Sequence, residues 1–243
     1  MERLMMIDIH NHLLINVDDG PTSESDALDL IKQAVDEGIT DIICTPHHHS
    51  PAHITPSHVV KEKLEALKKI RDHHQLNVEL YPGQEIRIND DLIDELNSGE
   101  ALTLAEGKYI LIEFSFTELR EDVPEVFEQV RELGLTPIIA HPERCAPLVE
   151  RKDLLADLIK DGALAQVTAA SVCGDLGQDL QEVALDLIDE GLIHIVSSDA
   201  HHSVNRPFRI KEAYHIIEER LGLDVVNDMK RRAETVLASR VTT

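Results

Sequence analysis

The stretch Pro137-Ile138-Ile139-Ala140-His141-Pro142-Glu143-Arg144 joins a four-residue apolar run to an imidazole, a carboxylate and a guanidinium. A run this short, with β-branched residues and no polar alternation, reads as a strand covered on both faces, as in a parallel sheet. The same arrangement recurs outward in both directions. Apolar runs fall at Met5-Met6-Ile7, Asp41-Ile42-Ile43-Cys44, Val78-Glu79-Leu80-Tyr81, Tyr109-Ile110-Leu111-Ile112, Leu164-Ala165-Gln166-Val167 and Ile193-His194-Ile195-Val196. Between them, apolar residues recur at helical spacing. Leu180, Val183, Ala184, Leu187 and Ile188 form one stripe, and Ile210, Ala213, Tyr214, Ile217 and Leu221 form another.

Thr22 or Ser23 is placed to cap the helix carrying Leu28 and Ile31, and Thr55-Pro56 reads as a cap and first-turn pair for the next. Gly38, Gly134, Gly162 and Gly191 sit where helices should stop, each ahead of a strand. Strand, helix, glycine, strand, repeated about seven times without a linker or a composition break, predicts one α/β barrel domain over residues 1–243.

Forty-six acids against 23 bases give a formal charge of −23. Such a chain repels a phosphate backbone, so nucleic acid is excluded as a partner. Three cysteines and an N-terminus without a basic flank before an apolar stretch show neither a disulfide framework nor a secretion signal, and the expected compartment is the cytoplasm. Charges interrupt every apolar run well short of the ~18 residues that span a bilayer, so no membrane insertion is expected. The unusual count is that of histidine, 14, in a chain with 3% aromatics.

Six of the seven runs lead into a residue type that ligates metals. The first leads into His10-Asn11-His12 and then Asp18-Asp19-Gly20, and the second into His47-His48-His49. The third leads into Gly83-Gln84-Glu85, the fourth into Glu113, the fifth into His141, and the last into Ser198-Asp199-Ala200-His201. In a parallel barrel these carboxyl ends converge on one mouth. His10 and His12, two apart, project to one side of an extended chain. A lone His-x-His reads as a solvated loop; convergence from six segments reads as a metal site. Imidazoles and carboxylates without a thiolate suit Mn, Zn or Fe, and the ligand number implies two or three ions. Three divalent ions among the carboxylates of Asp19, Glu85, Glu113 and Asp199 would leave a centre of about +2, suited to a phosphate dianion.

The His-x-His opening, Thr45-Pro46-His47-His48, Gly83-Gln84-Glu85-Ile86, Ile112-Glu113-Phe114, Ala140-His141-Pro142-Glu143-Arg144 and Ser198-Asp199-Ala200-His201 together resemble the PHP (polymerase and histidinol phosphatase) superfamily. More closely, they resemble the bacterial manganese-dependent protein-tyrosine phosphatases of capsule and exopolysaccharide synthesis. The resemblance runs from Met6 to about Arg209. It implies a distorted seven-stranded TIM-like barrel with a trinuclear Mn2+ site. His10, His12, Glu85 and Asp199 would hold one ion, Glu85, Glu113 and His141 a second, and Asp19, His47 and His201 a third, with Asp18 the alternative to Asp19. Arg144 and Arg206 match the family's phosphate-binding arginines, although an ion pair on the surface is their plainer reading.

The implied activity is hydrolysis of phosphotyrosine in proteins by metal-activated hydroxide, the partner being a bacterial tyrosine kinase. Asp19 and His201 are the two candidates for the acid that assists the leaving group. The rival readings are a histidinol-phosphate or other small-molecule phosphatase, and a metal-binding regulatory module without catalysis. Cys145 to Arg151 has the spacing of cysteine-dependent phosphatases, but the loop between them has a proline, an acid and no glycine, and it is read as an accident. His48 and His49 are read as a solvated loop, ahead of groups supporting the ligands or a substrate lid, His73 and His74 as favouring a helix dipole, His194 as a core histidine in mid-strand, and His202 as a group that could orient a neighbour.

Overall fold

The computed structural model describes residues 4–240. Seven strand runs lie parallel, and two of them are broken, giving nine short strands among the described residues. In chain order the elements are β1 (Ile7–Asp8), α1 (Glu24–Glu37), β2 (Asp41–Cys44), β3 (His47–His48), α2 (Ser57–His73), β4 (Glu79–Pro82), β5 (Glu85–Arg87) and α3 (Leu92–Ser98). They continue with β6 (Tyr109–Glu113), α4 (Val123–Glu132), β7 (Thr136–Ala140), α5 (Ala146–Glu150), α6 (Lys152–Lys160), β8 (Leu164–Thr168), α7 (Ala169–Cys173), α8 (Gln178–Asp189), β9 (Ile195–Ser197), α9 (Ile210–Leu221) and α10 (Leu223–Ala238).

One sheet has the order β1-β2-β4 and the other β3-β5-β6-β7-β8-β9. The second and third runs change sheets at Thr45-Pro46 and Gly83-Gln84. At Gly83 a side chain would come within 2.8 Å of Ile43, so only glycine lets these strands approach. The first and last runs meet. Asn11 bridges Ala200 in parallel, Asp199 N–H donates to the His10 carbonyl at 2.8 Å, and His12 N–H donates to the Ala200 carbonyl at 2.8 Å. This contact sets the His-x-His segment directly against Ser198-Asp199-Ala200-His201.

The period-two side-chain alternation of strands divides the core. Ile110, Ile112 and Ile139 pack in the larger apolar cluster with the helices. Leu111, Ile138 and Ala140 join Ile7, Ile9, Ile43 and Ile195 in a smaller cluster, which Ala233, Val236 and Leu237 of α10 complete. Among the described residues no helix is long and apolar enough to cross a membrane.

Local expectations hold with three exceptions. Ser23 caps α1 by accepting the Asp26 N–H, and Gly38 closes that helix in the left-handed region. Pro56, not Thr55, occupies the cap position of α2, because the Thr55 hydroxyl is turned to the Val17 carbonyl. β3 and β5 carry His47, His48, Glu85 and Arg87, too polar to be read as strands, yet they pair in register, His47 with Glu85. His194 precedes β9 rather than lying in it; its ring accepts the Ala165 N–H, and burial lowers its pKa to about 4.

Candidate metal centre

Glu85 stands where the segments converge. Its buried carboxylate lies 3.4 Å from His10 Nε2 and 2.9 Å from His141 Nε2 through Oε1. Through Oε2 it lies 3.5 Å from His12 Nε2 and 2.7 Å from His47 Nδ1. Asp199 Oδ1 lies 3.6 and 3.4 Å from the same nitrogens of His10 and His12. Asp19 Oδ1 lies 3.2 Å from His201 Nε2 and 3.6 Å from His47 Nε2. All nine candidate ligands, His10, His12, Asp19, His47, Glu85, Glu113, His141, Asp199 and His201, therefore fall in one connected cluster. Their ligand atoms gather as His12-Asp19-His47-His201, His10-His12-Glu85 and His47-Glu85-Glu113, three groups that overlap at His12, His47 and Glu85.

Positions at strand ends bring them there. His141 follows β7 with φ +31°, and Asp199 follows β9 with φ +53°. Both are left-handed conformations that cost a non-glycine residue energy and are kept where the surroundings demand them.

The imidazoles are fixed by their other nitrogen. His10 Nδ1 donates to Gln166 Oε1 at 2.9 Å, His12 Nδ1 to Asp18 Oδ2 at 2.7 Å, and His201 Nδ1 to the Asp199 carbonyl at 2.8 Å. With those protons outward, each Nε2 is aimed at a carboxylate. Burial lowers the pKa of His10 and His12, but the Glu85 and Asp199 charges raise that of His10 and the Asp18 charge and hydrogen bond that of His12, so in the metal-free protein a proton on these rings stands where a cation would bind. The buried Nε2 atoms of His10, His12 and His201, with His47 Nδ1 and Glu85 Oε2, have no hydrogen-bond partner. That donor set fits divalent ions of the Mn, Fe or Zn type.

The two adjacent acids part company here. The Asp18 side chain is fully buried and, besides His12, accepts the backbone N–H groups of Gly20 and His47. Asp18 thus orients His12, and Asp19 is the acid that faces the cluster.

Burial drives the Asp199 carboxyl up, but the neighbouring His10 and His12 rings and the Arg206 guanidinium hold it well below its ordinary range. Arg144 Nη1 and Arg206 Nη2 both donate to Asp199 Oδ2, at 2.6 and 2.8 Å. Both guanidiniums line a cavity of about 250 Å3 together with Asp19, His47, Glu113, His141 and Asp199. They are not a remote surface pair.

Glu113 differs from the other acids. Burial and the adjacent Glu85 charge raise its pKa to about 7, although the Arg87 guanidinium, at 3.0 Å, opposes this. Below pH 7 a cation binding there must displace a proton, so affinity should rise up to about tenfold per pH unit towards pH 7 and flatten above it. Mn2+ titration calorimetry in buffers of different ionisation enthalpy should show Glu113→Gln releasing close to one proton fewer than wild type at pH 6, about half a proton fewer at pH 7 and almost none fewer at pH 8. Equal proton release at pH 6 would refute the assignment.

Arg87, Gln166 and Phe116 were not foreseen among the site residues. Arg87 had a signal, since it stands two residues after Glu85 on one extended segment. So did Gln166, a polar residue inside an apolar run.

His48 corrects the solvated-loop reading, because it is 1% exposed. With His49 and Glu95 it forms a further cluster of metal-ligating types. The Thr55 N–H occupies His48 Nδ1, which leaves the ring proton on Nε2 to donate to Glu95 at 3.2 Å. The cluster is a hydrogen-bonded clamp between α3 and the loop after β3. Cys145 is buried, its thiol pKa raised by burial, with Sγ on the Ser115 carbonyl, a setting unlike that of a thiolate nucleophile.

Comparison with known proteins agrees with this geometry. A Staphylococcus aureus protein named CapC is 43% identical over 210 residues, 86% of this chain and 82% of its own length. The tyrosine-protein phosphatase YwqE of Bacillus subtilis is 35% identical over 235 residues, 97% of this chain and 92% of its own. The solved structure describing YwqE and Streptococcus pneumoniae CpsB as metal-dependent tyrosine phosphatases matches with a TM-score of 0.94 at 35% identity, over 98% of this chain and 96% of that one. At 14% identity, the phosphotriesterase homology protein of Escherichia coli matches at a TM-score of 0.58 over 96% of this chain and 97% of its own, a likeness of fold alone. The family model for capsular polysaccharide synthesis, CpsB/CapC, matches residues 6–238, and the chain belongs to that family.

Proposed function

We propose that the protein is a metal-dependent phosphomonoesterase that hydrolyses phosphotyrosine in proteins, residues 1–243 acting as one domain. The observation that carries this is the set of unpartnered imidazole nitrogens and carboxylates meeting two arginines at the wall of one small cavity. The relatives named tyrosine-protein phosphatases support the substrate class.

His10, His12, Glu85 and Asp199, with Asp19, His47, Glu113, His141 and His201, would hold two or three divalent ions, Mn2+ foremost and Fe or Zn as alternatives. Bound there, the ions would lower the pKa of water and stabilise charge on the phosphoryl oxygens. Arg144 and Arg206 bind and orient the phosphate. Asp199 anchors both guanidiniums through one oxygen, leaving other N–H donors for the phosphoryl group.

Asp19 Oδ1, on the cavity wall, lies 3.2 Å from His201 Nε2, and these two groups are the candidates for assisting the leaving group. A phenol of pKa ≈ 10 needs that assistance less than an alcohol does.

A bacterial tyrosine kinase in the cytoplasm, tied to capsule or exopolysaccharide synthesis, is the proposed protein substrate. The test is metal analysis combined with turnover of a phosphotyrosine peptide and of histidinol phosphate, before and after chelation and Mn2+ addition. Expected is peptide hydrolysis that chelation abolishes and Mn2+ restores. Activity that survives chelation, or a strong preference for histidinol phosphate, would overturn the proposal. Absence of turnover with every metal would favour a binding module.

A further inference from the structure

Phe116 is 37% exposed and is the one exposed aromatic side chain of Phe or Tyr type among the described residues. It lines the same cavity as Arg144, Arg206, His141 and Asp199. Its ring meets His141 edge to face, with centroids 5.5 Å apart, and the Arg144 guanidinium sits 4.6 Å from its centroid. The residue is pinned, since the Ala146 N–H donates to the Phe116 carbonyl at 3.0 Å and Cys145 Sγ donates to the preceding Ser115 carbonyl at 3.1 Å. Arg144 and Phe116 are therefore positioned by the same link between the loop after β6 and the start of α5. Pro51, Ala52 and His53 supply further lining, with the His53 ring parallel to that of His47 at 6.2 Å.

An exposed apolar ring costs free energy in water, and the cavity is otherwise lined mainly by charged and imidazole groups. A phosphate gripped by Arg144 and Arg206 leaves its ester group to extend along this wall. We propose that Phe116 is a specificity-determining residue whose ring receives the aryl group of the phosphoester, so that the site selects aryl over alkyl phosphomonoesters. The inference rests on the phosphatase reading of the same site and adds the feature that recognises the aromatic ring. Ring–ring contact and the apolar area it covers correspond to about a tenfold preference.

The test is binding of phenylphosphonate and methylphosphonate to the Mn2+-loaded protein by calorimetry, together with kcat/KM for phenyl phosphate and an alkyl phosphate. Wild type should bind phenylphosphonate about tenfold more tightly than methylphosphonate, and its kcat/KM preference for the aryl ester should be larger still, because the phenol is also the better leaving group. Phe116→Ala should collapse the binding ratio to near unity and lower the kcat/KM ratio about tenfold, Phe116→Leu should restore part of each, and Phe116→Tyr should keep both. A ratio that stays at the wild-type value in Phe116→Ala overturns the proposal. So does an equal loss for aryl and alkyl ligands, which would mean that Phe116 acts only by supporting Arg144. A protein that binds phenylphosphonate with this Phe116-dependent preference yet hydrolyses neither ester would refute the phosphatase reading and leave the aryl subsite standing.

Discussion

Glu85→Gln should abolish phosphotyrosine hydrolysis, with kcat/KM falling on the order of 10³-fold, the several kcal/mol that metal assistance supplies to such a reaction. No other carboxylate in the cluster has four imidazoles within 3.5 Å, those of His10, His12, His47 and His141. Burial pushes its pKa up, but the neighbouring charges of His10 and His47 outweigh this and keep it well below the ordinary carboxylate range. Glutamine preserves size while replacing one oxygen by an N–H donor and removing the charge that compensates a bound cation. Two of the three groupings of ligand atoms contain Glu85, so the variant should also carry fewer metal equivalents by elemental analysis. Its fold should persist, because the side chain is replaced at constant volume, and circular dichroism would confirm this. Turnover within tenfold of wild type, or unchanged metal content, would remove Glu85 from its central place.

What the sequence disclosed and what it concealed follow from the physics of each segment. The runs Asp41–Cys44, Tyr109–Glu113, Thr136–Ala140 and Leu164–Thr168 were readable because parallel strands buried on both sides are almost continuously apolar. The ligands were readable because polar side chains directly after such runs must lie at one rim. β3 and β5 were hidden for the same reason, since their residues are themselves the candidate ligands and their neighbours. The division of labour between Asp18 and Asp19 could not be read from spacing. It depends on Asp18 meeting His12 and the His47 N–H, contacts made by segments 6 and 29 residues away. Phe116 carried no pattern at all. Its significance comes from sharing a cavity with two arginines, which only the folded chain shows.

Asp8→Ala should destabilise the metal-free protein by about 4 kcal/mol at pH 5, although Asp8 faces no ligand atom. Its Oδ1 accepts the Ser198 N–H at 3.0 Å and the His10 N–H at 3.4 Å, and its Oδ2 accepts Ser198 Oγ at 2.6 Å and Asn11 Nδ2 at 3.1 Å. The carboxyl thus ties the first strand run to the last at the point where His10 and Asp199 are presented. Asn11 Nδ2 keeps the Ile43 carbonyl and Ser198 Oγ keeps the His10 carbonyl, so the main loss falls on the Ser198 N–H and on the cavity left behind. The effect should depend on pH in a definite direction. Burial raises the Asp8 pKa from 3.8 to about 6, outweighing the Ser198 hydrogen bonds, so the folded state binds this proton more tightly than the unfolded chain. That contribution is complete below pH 3.8 and is lost as the pH rises through 6, a total of about 3 kcal/mol, of which roughly half disappears between pH 5 and pH 8. Alanine has no such dependence. The deficit of Asp8→Ala, measured by urea unfolding, should therefore shrink by on the order of 1.5 kcal/mol between pH 5 and pH 8. A deficit that is constant or grows across that range would show that Asp8 is ionised throughout, and that its bonds to Ser198 outweigh the cost of burying the charge.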